Sequence, residues 1–429
     1  MNFDFRKRPT STKRLSTTFA VMALRRHSVT RFLELLPGAL LLDVRSPSEY
    51  AHAQLPGALS LPLFSDAERA QVGTAYKQVS REAAIKIGLD HFGPKMRAMI
   101  ETVERTARAR DLGEKPPICV YCWRGGMRSG AVAWLLDLYG FDVHVLDGGY
   151  KSFRNYVLET FTLPLPLRIL GGYTGSGKTE LLHELKTLGE TVIDLEGLAC
   201  HKGSAFGNID MPPQPTQEQF ENLLALEIRA VIGSAIGNRE SAMDASDAGS
   251  FLPVPEAAKS SFRDVPWSVG PNVEEKGNVA GSEAIPDSRF PIPASRPIWL
   301  EDESQRIGQL HIPHRLWATM RQSPVYFLDI PFEQRLAHIV EEYGVLDRER
   351  LRDAIDRIRQ RLGGLDHKLA LQHLDEDNLS ECFAILLRYY DKHYGKGLQN
   401  RTGLEQLLHR VPCADVRPDN AHALIRSTQ

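Results

Sequence analysis

Leu167-Arg168-Ile169-Leu170-Gly171-Gly172-Tyr173-Thr174-Gly175-Ser176-Gly177-Lys178-Thr179 reads as a buried strand, a glycine loop and the start of a helix. The apolar run 167–170 predicts the strand, and the helix is expected over Thr179–Leu188. From Gly172 the loop fits G-x-x-x-x-G-K-[ST] without a gap, the pattern of a P-loop. Amides of Gly172, Thr174, Gly175, Ser176 and Gly177 would cradle phosphate oxygens. Lys178 would reach the terminal phosphates, and the Thr179 hydroxyl is placed to hold Mg²⁺. A strand feeding such a loop belongs to a parallel sheet covered on both faces, so this stretch sets an α/β fold class.

Upstream stands a second cradle of another kind, Tyr121-Cys122-Trp123-Arg124-Gly125-Gly126-Met127-Arg128-Ser129, after a strand expected over 117–121. Only a thiolate is strongly nucleophilic, and inward-pointing amides and nearby cations favour it. Gly125 and Gly126 let the backbone curl, Arg124 and Arg128 add charge, and Arg128 can fork onto a tetrahedral anion. The next helix, expected from Ser129, turns its positive end to the same place. Such a cup can hold a persulfide, a perselenide or a thiophosphate-like group on Cys122. Cys119 shares a C-x-x-C spacing with Cys122 but reads as a buried strand residue, because strand residues three apart face opposite ways.

Bulk properties bound the rest. A chain of 429 residues exceeds one compact core, so two or three domains are expected. The net charge of −2 predicts no global attraction to nucleic acid, which leaves RNA contact to local basic patches. Five cysteines are too few for a disulfide framework and fit a reducing cytoplasm. No apolar run is long enough for a bilayer, so no membrane association is expected. Residues 1–27, with Arg6, Lys7, Arg8, Lys13, Arg14, Arg25 and Arg26, read as a basic flexible extension, with Met22 as a second candidate start. Residues 238–296 are rich in Pro, Ser, Gly, Ala and acid and predict a disordered insertion.

Asp43-Val44-Arg45-Ser46-Pro47-Ser48-Glu49-Tyr50, Leu55-Pro56-Gly57-Ala58, the Cys122 loop and Asp147-Gly148-Gly149 resemble a rhodanese domain. Cys122 to Arg128 is C-x5-R, one residue longer than the usual sulfurtransferase loop and similar to the rhodanese-related dual-specificity phosphatases. The order rhodanese then P-loop resembles the bacterial tRNA 2-selenouridine synthases. Gly171–Glu180, Asp194-Leu195-Glu196-Gly197, Gly203–Gly207, Gln214–Gln217 and Glu301-Asp302-Glu303-Ser304 carry that likeness further, and 238–296 departs from it. The implied architecture is a rhodanese-like parallel sheet domain at 28–155, then a P-loop NTPase-like doubly wound domain at 160–332. A mostly helical C-terminal region at 333–429 follows, with tRNA contact as one expectation.

The resemblance implies an enzyme acting on the wobble uridine of tRNAs for Lys, Glu and Gln. It exchanges the sulfur of 2-thiouridine for selenium from selenophosphate, through an S-geranyl intermediate made from geranyl diphosphate. The P-loop would hold the diphosphate and Cys122 would serve the selenium step. Two rivals stand beside it: a C-x5-R phosphatase with an accessory NTPase, and a non-catalytic, nucleotide-gated rhodanese binding module.

Further candidates are less specific. Asp43, Asp194, Glu301 and Asp302 are strand-end acids, of which Asp194 and the Glu301-Asp302-Glu303 run are placed to assist a metal at the P-loop. Over 347–362, Leu351, Ile355, Ile358 and Leu362 form an apolar stripe, and Arg348, Arg350, Arg352, Arg357, Arg359 and Arg361 surround it. Those arginines fit a solvated face paired with Asp353 and Asp356 as well as they fit tRNA phosphates. His311 and His314 lack a third ligand at matching spacing, as does Cys200-His201, and no zinc is assigned.

Overall fold

Strands β2 (Leu40–Asp43), β4 (Ile118–Tyr121) and β5 (Val143–Leu146) are buried along their whole length, the pattern of a sheet covered on both faces. In the computed structural model, which describes residues 24–240 and 296–428, they join β1 (Arg25–His27) and β3 (Leu59–Ser60) in one parallel sheet. Its order is β1-β5-β4-β2-β3. Side chains of 234–240 and residues 241–295, which hold most of the expected insertion, lie outside this description, as do residues 1–23.

A second parallel sheet has the order β12-β11-β6-β8-β7. It contains β6 (Leu167–Gly172), β7 (Thr191–Val192), β8 (Ile298–Glu301), β11 (Val325–Asp329) and β12 (Leu408–Pro412). A small antiparallel pair, β9 (Arg306–Ile307) and β10 (Leu310–His311), stands apart. In both sheets the candidate loop leaves the central strand, β4 or β6, at its carboxyl end. Neighbouring connections diverge there and open a crevice.

Several elements differ from the sequence reading. Arg25–His27 is no flexible tail: it pairs in parallel with β5 and closes that sheet edge. Residues 81–109 form two helices, Arg81–Phe92 and Met96–Ala109, separated by a turn at Gly93-Pro94. The helix Gly149–Thr160 runs straight through the expected end of the first domain at 155. The C-terminal region is helical from Phe332 to Gln399, yet Leu408–Pro412 returns as an edge strand beside β11. Exposed His409 and Arg410 mask that strand in sequence, and charged residues are what an edge strand tolerates. Among the described residues no helix is long and apolar enough to cross a membrane.

The two sheets share a core. Leu41, Cys119, Tyr121, Tyr150 and Phe153 of the first unit pack in one cluster with Phe220, Leu224, Ile298 and Leu300 of the second. The helix Gln217–Glu240 supplies much of the junction, and its polar residues are matched as well as its apolar ones. Tyr150 Oη donates to Glu218 Oε1 at 2.8 Å and accepts from Asn222 Nδ2 at 2.8 Å. Asn222 Nδ2 also reaches Gln54 O at 3.1 Å, and Gln54 N donates to Gln219 Oε1 at 2.8 Å. Arg154 donates to Asn222 Oδ1 at 2.6 Å and Glu221 Oε2 at 2.5 Å.

Tyr150→Phe keeps the ring and removes two hydrogen bonds at the junction, while Asn222 retains Gln54 O and Glu218 retains Arg154 and His52. It is expected to cost about 1–3 kcal/mol. Denaturant unfolding should show a lower midpoint at an unchanged slope.

Candidate active site

The Cys122 loop is held from behind so that its amides stay free. Tyr150 N donates to Cys122 O at 2.8 Å and Lys151 N to Trp123 O at 3.0 Å, which ties those carbonyls to the start of the next helix. Among the described residues, the backbone amides of 123–128 have no partner. They lead into the helix Met127–Leu138, whose first turn has free donors of its own. Two glycines make the closure sterically feasible. Gly125 has φ +63°, and a Cβ there would lie 2.7 Å from Leu146 O. Gly149 has φ +61°, and a Cβ there would lie 2.3 Å from Cys122 O. Arg26, counted in sequence with the extension, donates to Gly125 O at 2.6 Å.

Cys122 is buried, with Sγ 3.2 Å from Ser129 Oγ. Arg124 is exposed and Gly126 caps the helix. Trp123 and Met127 leave apolar surface at the mouth, the Trp123 ring lying 5.7 Å from that of Tyr150. Arg128 is engaged: it forks onto Glu49, at 2.7 Å to Oε2 and 3.3 Å to Oε1. Arg69 Nε adds a contact to Glu49 Oε2 at 3.1 Å, and Ser46 N donates to the same oxygen at 3.0 Å. Burial pushes the Glu49 carboxyl up, but Arg128, the Ser46 amide and Arg69 outweigh it and hold the group below its ordinary value. In sequence Glu49 looks like an ordinary helix-capping glutamate, which it also is.

The P-loop follows β6 as expected. Its helix begins one residue early, at Lys178, and Gly175 and Gly177 adopt φ +78° and +66°. Amides of Thr174, Gly175, Gly177, Lys178 and Thr179 have no partner among the described residues. Ser176 Oγ is buried and unpartnered. Lys178 Nζ rests on Gly172 O at 3.2 Å. The loop is braced by residues far away in sequence. Buried Arg335 donates to Thr174 O at 3.0 Å and forks onto Asp391, and Tyr394 Oη accepts from Gly172 N at 3.2 Å.

Three of the four strand-end acids have structural roles, and the fourth, Glu301, lies buried behind the loop. Asp43 pairs with buried Arg45 and accepts from Tyr121 Oη at 2.8 Å, away from the Cys122 cup. Asp194 caps the helix Leu195–Ala199, accepting from Gly197 N at 2.6 Å, because β7 stops at Val192. Asp302 accepts from Tyr394 Oη at 2.7 Å and from Arg401 at 2.6 Å. Glu301 accepts from Leu195 N at 3.1 Å, and burial, then the charges of Asp194 and Glu196, push its carboxyl far up.

The acids that face the loop are Glu196 and Glu303. Glu196 accepts from Thr179 Oγ1 at 3.0 Å and is bonded to Glu303. The Glu303 carboxyl is deep although the residue is partly exposed, and burial followed by the Glu196 charge pushes it far up. Burial also raises Glu196, against the pull of Lys178. The charge on one carboxyl thus makes it harder for the other to ionise. Gly203 backs onto both, for a Cβ there would come within 2.5 Å of Glu303 and 2.9 Å of Glu196. Glu196 was legible as the second residue after a helix-capping Asp194.

Beside the loop lies a narrow pocket of about 30 Å³, room for little more than a water molecule. Thr174 forms one wall; Phe206, Ile339, Tyr343, Phe383 and Leu386 supply an apolar, aromatic lining. No local motif marks it, because its residues come from four separate segments.

The carboxylate of Glu49 is depressed, so its stabilising contribution is present above the ordinary glutamate range and is lost as pH falls through the lowered value. Glu49→Gln should cost about 1.5–3 kcal/mol at neutral pH. The gap to wild type should narrow on acidification as Glu49 takes up a proton, as followed by thermal melts over a pH series.

Comparison with known families follows the two units. Residues 28–156 match the rhodanese-like domain, and 165–236 with 292–411 match the tRNA 2-selenouridine synthase AAA domain. The tRNA 2-selenouridine synthase of Marinobacter nauticus is 31% identical over 396 residues, which cover 85% of this chain and 89% of that one. That of Bordetella petrii is 31% identical, with 84% and 87% covered, and that of Hydrogenovibrio crunogenus 31%, with 84% and 90% covered. By likeness across both sheets and most of its length, the chain belongs to the tRNA 2-selenouridine synthase family.

Proposed function

We propose that this protein is a tRNA-modifying transferase that converts wobble 2-thiouridine to 2-selenouridine in two steps. In the first, the thiocarbonyl sulfur attacks C1 of geranyl diphosphate. A C–S bond forms, the C–O bond breaks, and diphosphate leaves with the electron pair. In the second, the selenium of selenophosphate attacks C2 of the S-geranyl base and the geranyl thiolate departs. Water then cleaves the P–Se bond and phosphate is released. The substrates are the anticodon loops of tRNAs for Lys, Glu and Gln, and the setting is the cytoplasm.

The observation that carries the reading is the pair of separate phosphate cradles, one at the P-loop and one at the Cys122 loop. Free amides and Lys178 suit a diphosphate, and the apolar, aromatic residues adjoining Thr174, which would have to part to admit a ligand, suit a branched hydrocarbon tail better than a ribose and base. A magnesium ion fits here too, because Thr179, Glu196 and Glu303 offer hard oxygen donors. When bound it would neutralise charge on the leaving diphosphate. In the first unit, the free amides of 123–128 suit the phosphate end of selenophosphate, and Cys122 serves the selenium step at the floor of the same cup.

Mass analysis of wobble nucleosides tests the division of labour. Thiolated tRNA, geranyl diphosphate and selenophosphate are the inputs. Cys122→Ser should accumulate S-geranyl-2-thiouridine and make no selenouridine. Lys178→Ala should lose geranylation by at least a hundredfold, yet still selenate tRNA geranylated beforehand. Equal loss of both steps in Cys122→Ser would count against the proposal. Leu386→Trp, which fills the cleft, should raise KM for geranyl diphosphate about tenfold, or about 1.4 kcal/mol. It should leave inhibition by inorganic diphosphate unchanged.

A further inference from the structure

The six arginines of 348–361 divide once the chain is folded. Arg348 pairs with Asp377, Arg350 with Asp210 and Arg352 with Asp375. Arg357 donates to Ala205 O at 2.8 Å and Asn208 Oδ1 at 3.1 Å. Those four hold the helical region together. Arg359 and Arg361 are exposed and have no partner among the described residues.

Arg361 meets a second element. The helix Leu379–Gln399 places Tyr389, Lys392, His393 and Lys396 at i, i+3, i+4 and i+7, which is one stripe of its surface. Lys392, His393 and Lys396 are exposed. Partial burial, then Lys396, Lys392 and Arg361, hold the His393 imidazole below its ordinary value, so cations from two helices converge on one ring. No carboxylate of this helix answers them. Between Cys382 and Gln399 its one acid is Asp391, whose oxygens are taken by Arg335 at 2.9 and 2.8 Å. The rings of Tyr389 and His393 lie 4.5 Å apart, and Tyr389 also touches Tyr390 at 5.1 Å. Tyr390, Phe383, Leu386 and Leu387 line the pocket beside Thr174 from one face of this helix, and the stripe occupies the neighbouring, outward face.

We infer that Arg361, Tyr389, Lys392, His393 and Lys396 form the surface on which the tRNA backbone docks. The inference rests on the proposed reading that tRNA is the substrate. Cations left unneutralised by the protein are what a polyphosphate chain displaces counterions to reach. Aromatic rings between them are what unstacked bases of a loop pack against. Arg348, Arg350 and Arg352, already satisfied by carboxylates, contribute little.

Filter binding of an unmodified tRNA transcript over a salt series tests this. The triple variant Arg361→Ser, Lys392→Ser, Lys396→Ser should bind at least tenfold more weakly near physiological salt. The slope of log K against log salt should fall by about 2, from about 0.7 for each of the lost single-strand phosphate contacts. Tyr389→Ala should lose about fivefold or more in affinity with the slope unchanged, a stacking signature. Arg361, Lys392 and Lys396 lie at the surface, Tyr389 is half-buried against the helical core, and a thermal melt of each variant separates lost packing from lost binding. A triple variant with wild-type affinity and slope overturns the docking surface and leaves the substrate reading intact. A wild-type protein without affinity for tRNA overturns both.

Discussion

The hydroxyl of Tyr150 is the point on which the two halves of this molecule depend. It satisfies Glu218 and Asn222 on the long helix of the second unit, while its ring covers the Arg45 guanidinium at 3.9 Å. Burial works against the charge on Arg45, but the bond and charge of Asp43 outweigh it and keep the guanidinium protonated. A buried ion pair of this kind contributes little net stability, and removing one partner is severe. Its value here is positional. Tyr150 also donates its amide to Cys122 O, so the residue that joins the units is the residue that shapes the thiol loop. From Tyr150 the connection continues through the helix Gln217–Glu240 to the one-turn helix that carries Glu196, beside Thr179. Both loops are thereby anchored to one core.

The behaviour of the second site follows from burial. A carboxyl pair placed deep behind a phosphate loop cannot ionise twice at low cost, and burial pushes both Glu196 and Glu303 up, the charge of Glu196 adding to the push on Glu303. On the proposed reading, a divalent cation beside Thr179 would offset the repulsion between these carboxyls. Gly203 is required there because its backbone fills the space against both carboxyls, at a positive φ and with no room for a Cβ.

How far the sequence could be read follows from how local each feature is. The two loops were legible because strand, turn glycines and cations occur in one uninterrupted stretch. The parallel sheets followed from the apolar strands that feed them. Whatever depends on distant partners was hidden. Glu49 reads as a capping residue until Arg128 is folded onto it from another element. Arg26 reads as a tail until β1 pairs with β5. Asp194 was the natural acid to choose, but β7 ends two residues early, so Asp194 caps the helix and Glu196 inherits the position facing Thr179. The strand Leu408–Pro412 carries too much charge to look like one. The cleft lining is assembled from segments far apart in the chain, and no periodicity signals that kind of assembly.

The resting partners of the two key cations explain how one chain keeps two phosphate cradles distinct. Lys178 rests on a neutral carbonyl of its own loop, so an arriving diphosphate replaces a weak neutral contact with a charge-assisted one. Arg128 rests on a carboxylate that meets it through two oxygens, so an arriving anion exchanges one ionic partner for another and gains little from the arginine alone. Net affinity in the first cup must then come from the free amides of 123–128, which bond any tetrahedral oxygen group small enough to enter. On the proposed reading this difference would draw a charge-rich diphosphate to the P-loop. The cup at Cys122 would then be left to a compact monophosphate whose shape fits the curled backbone.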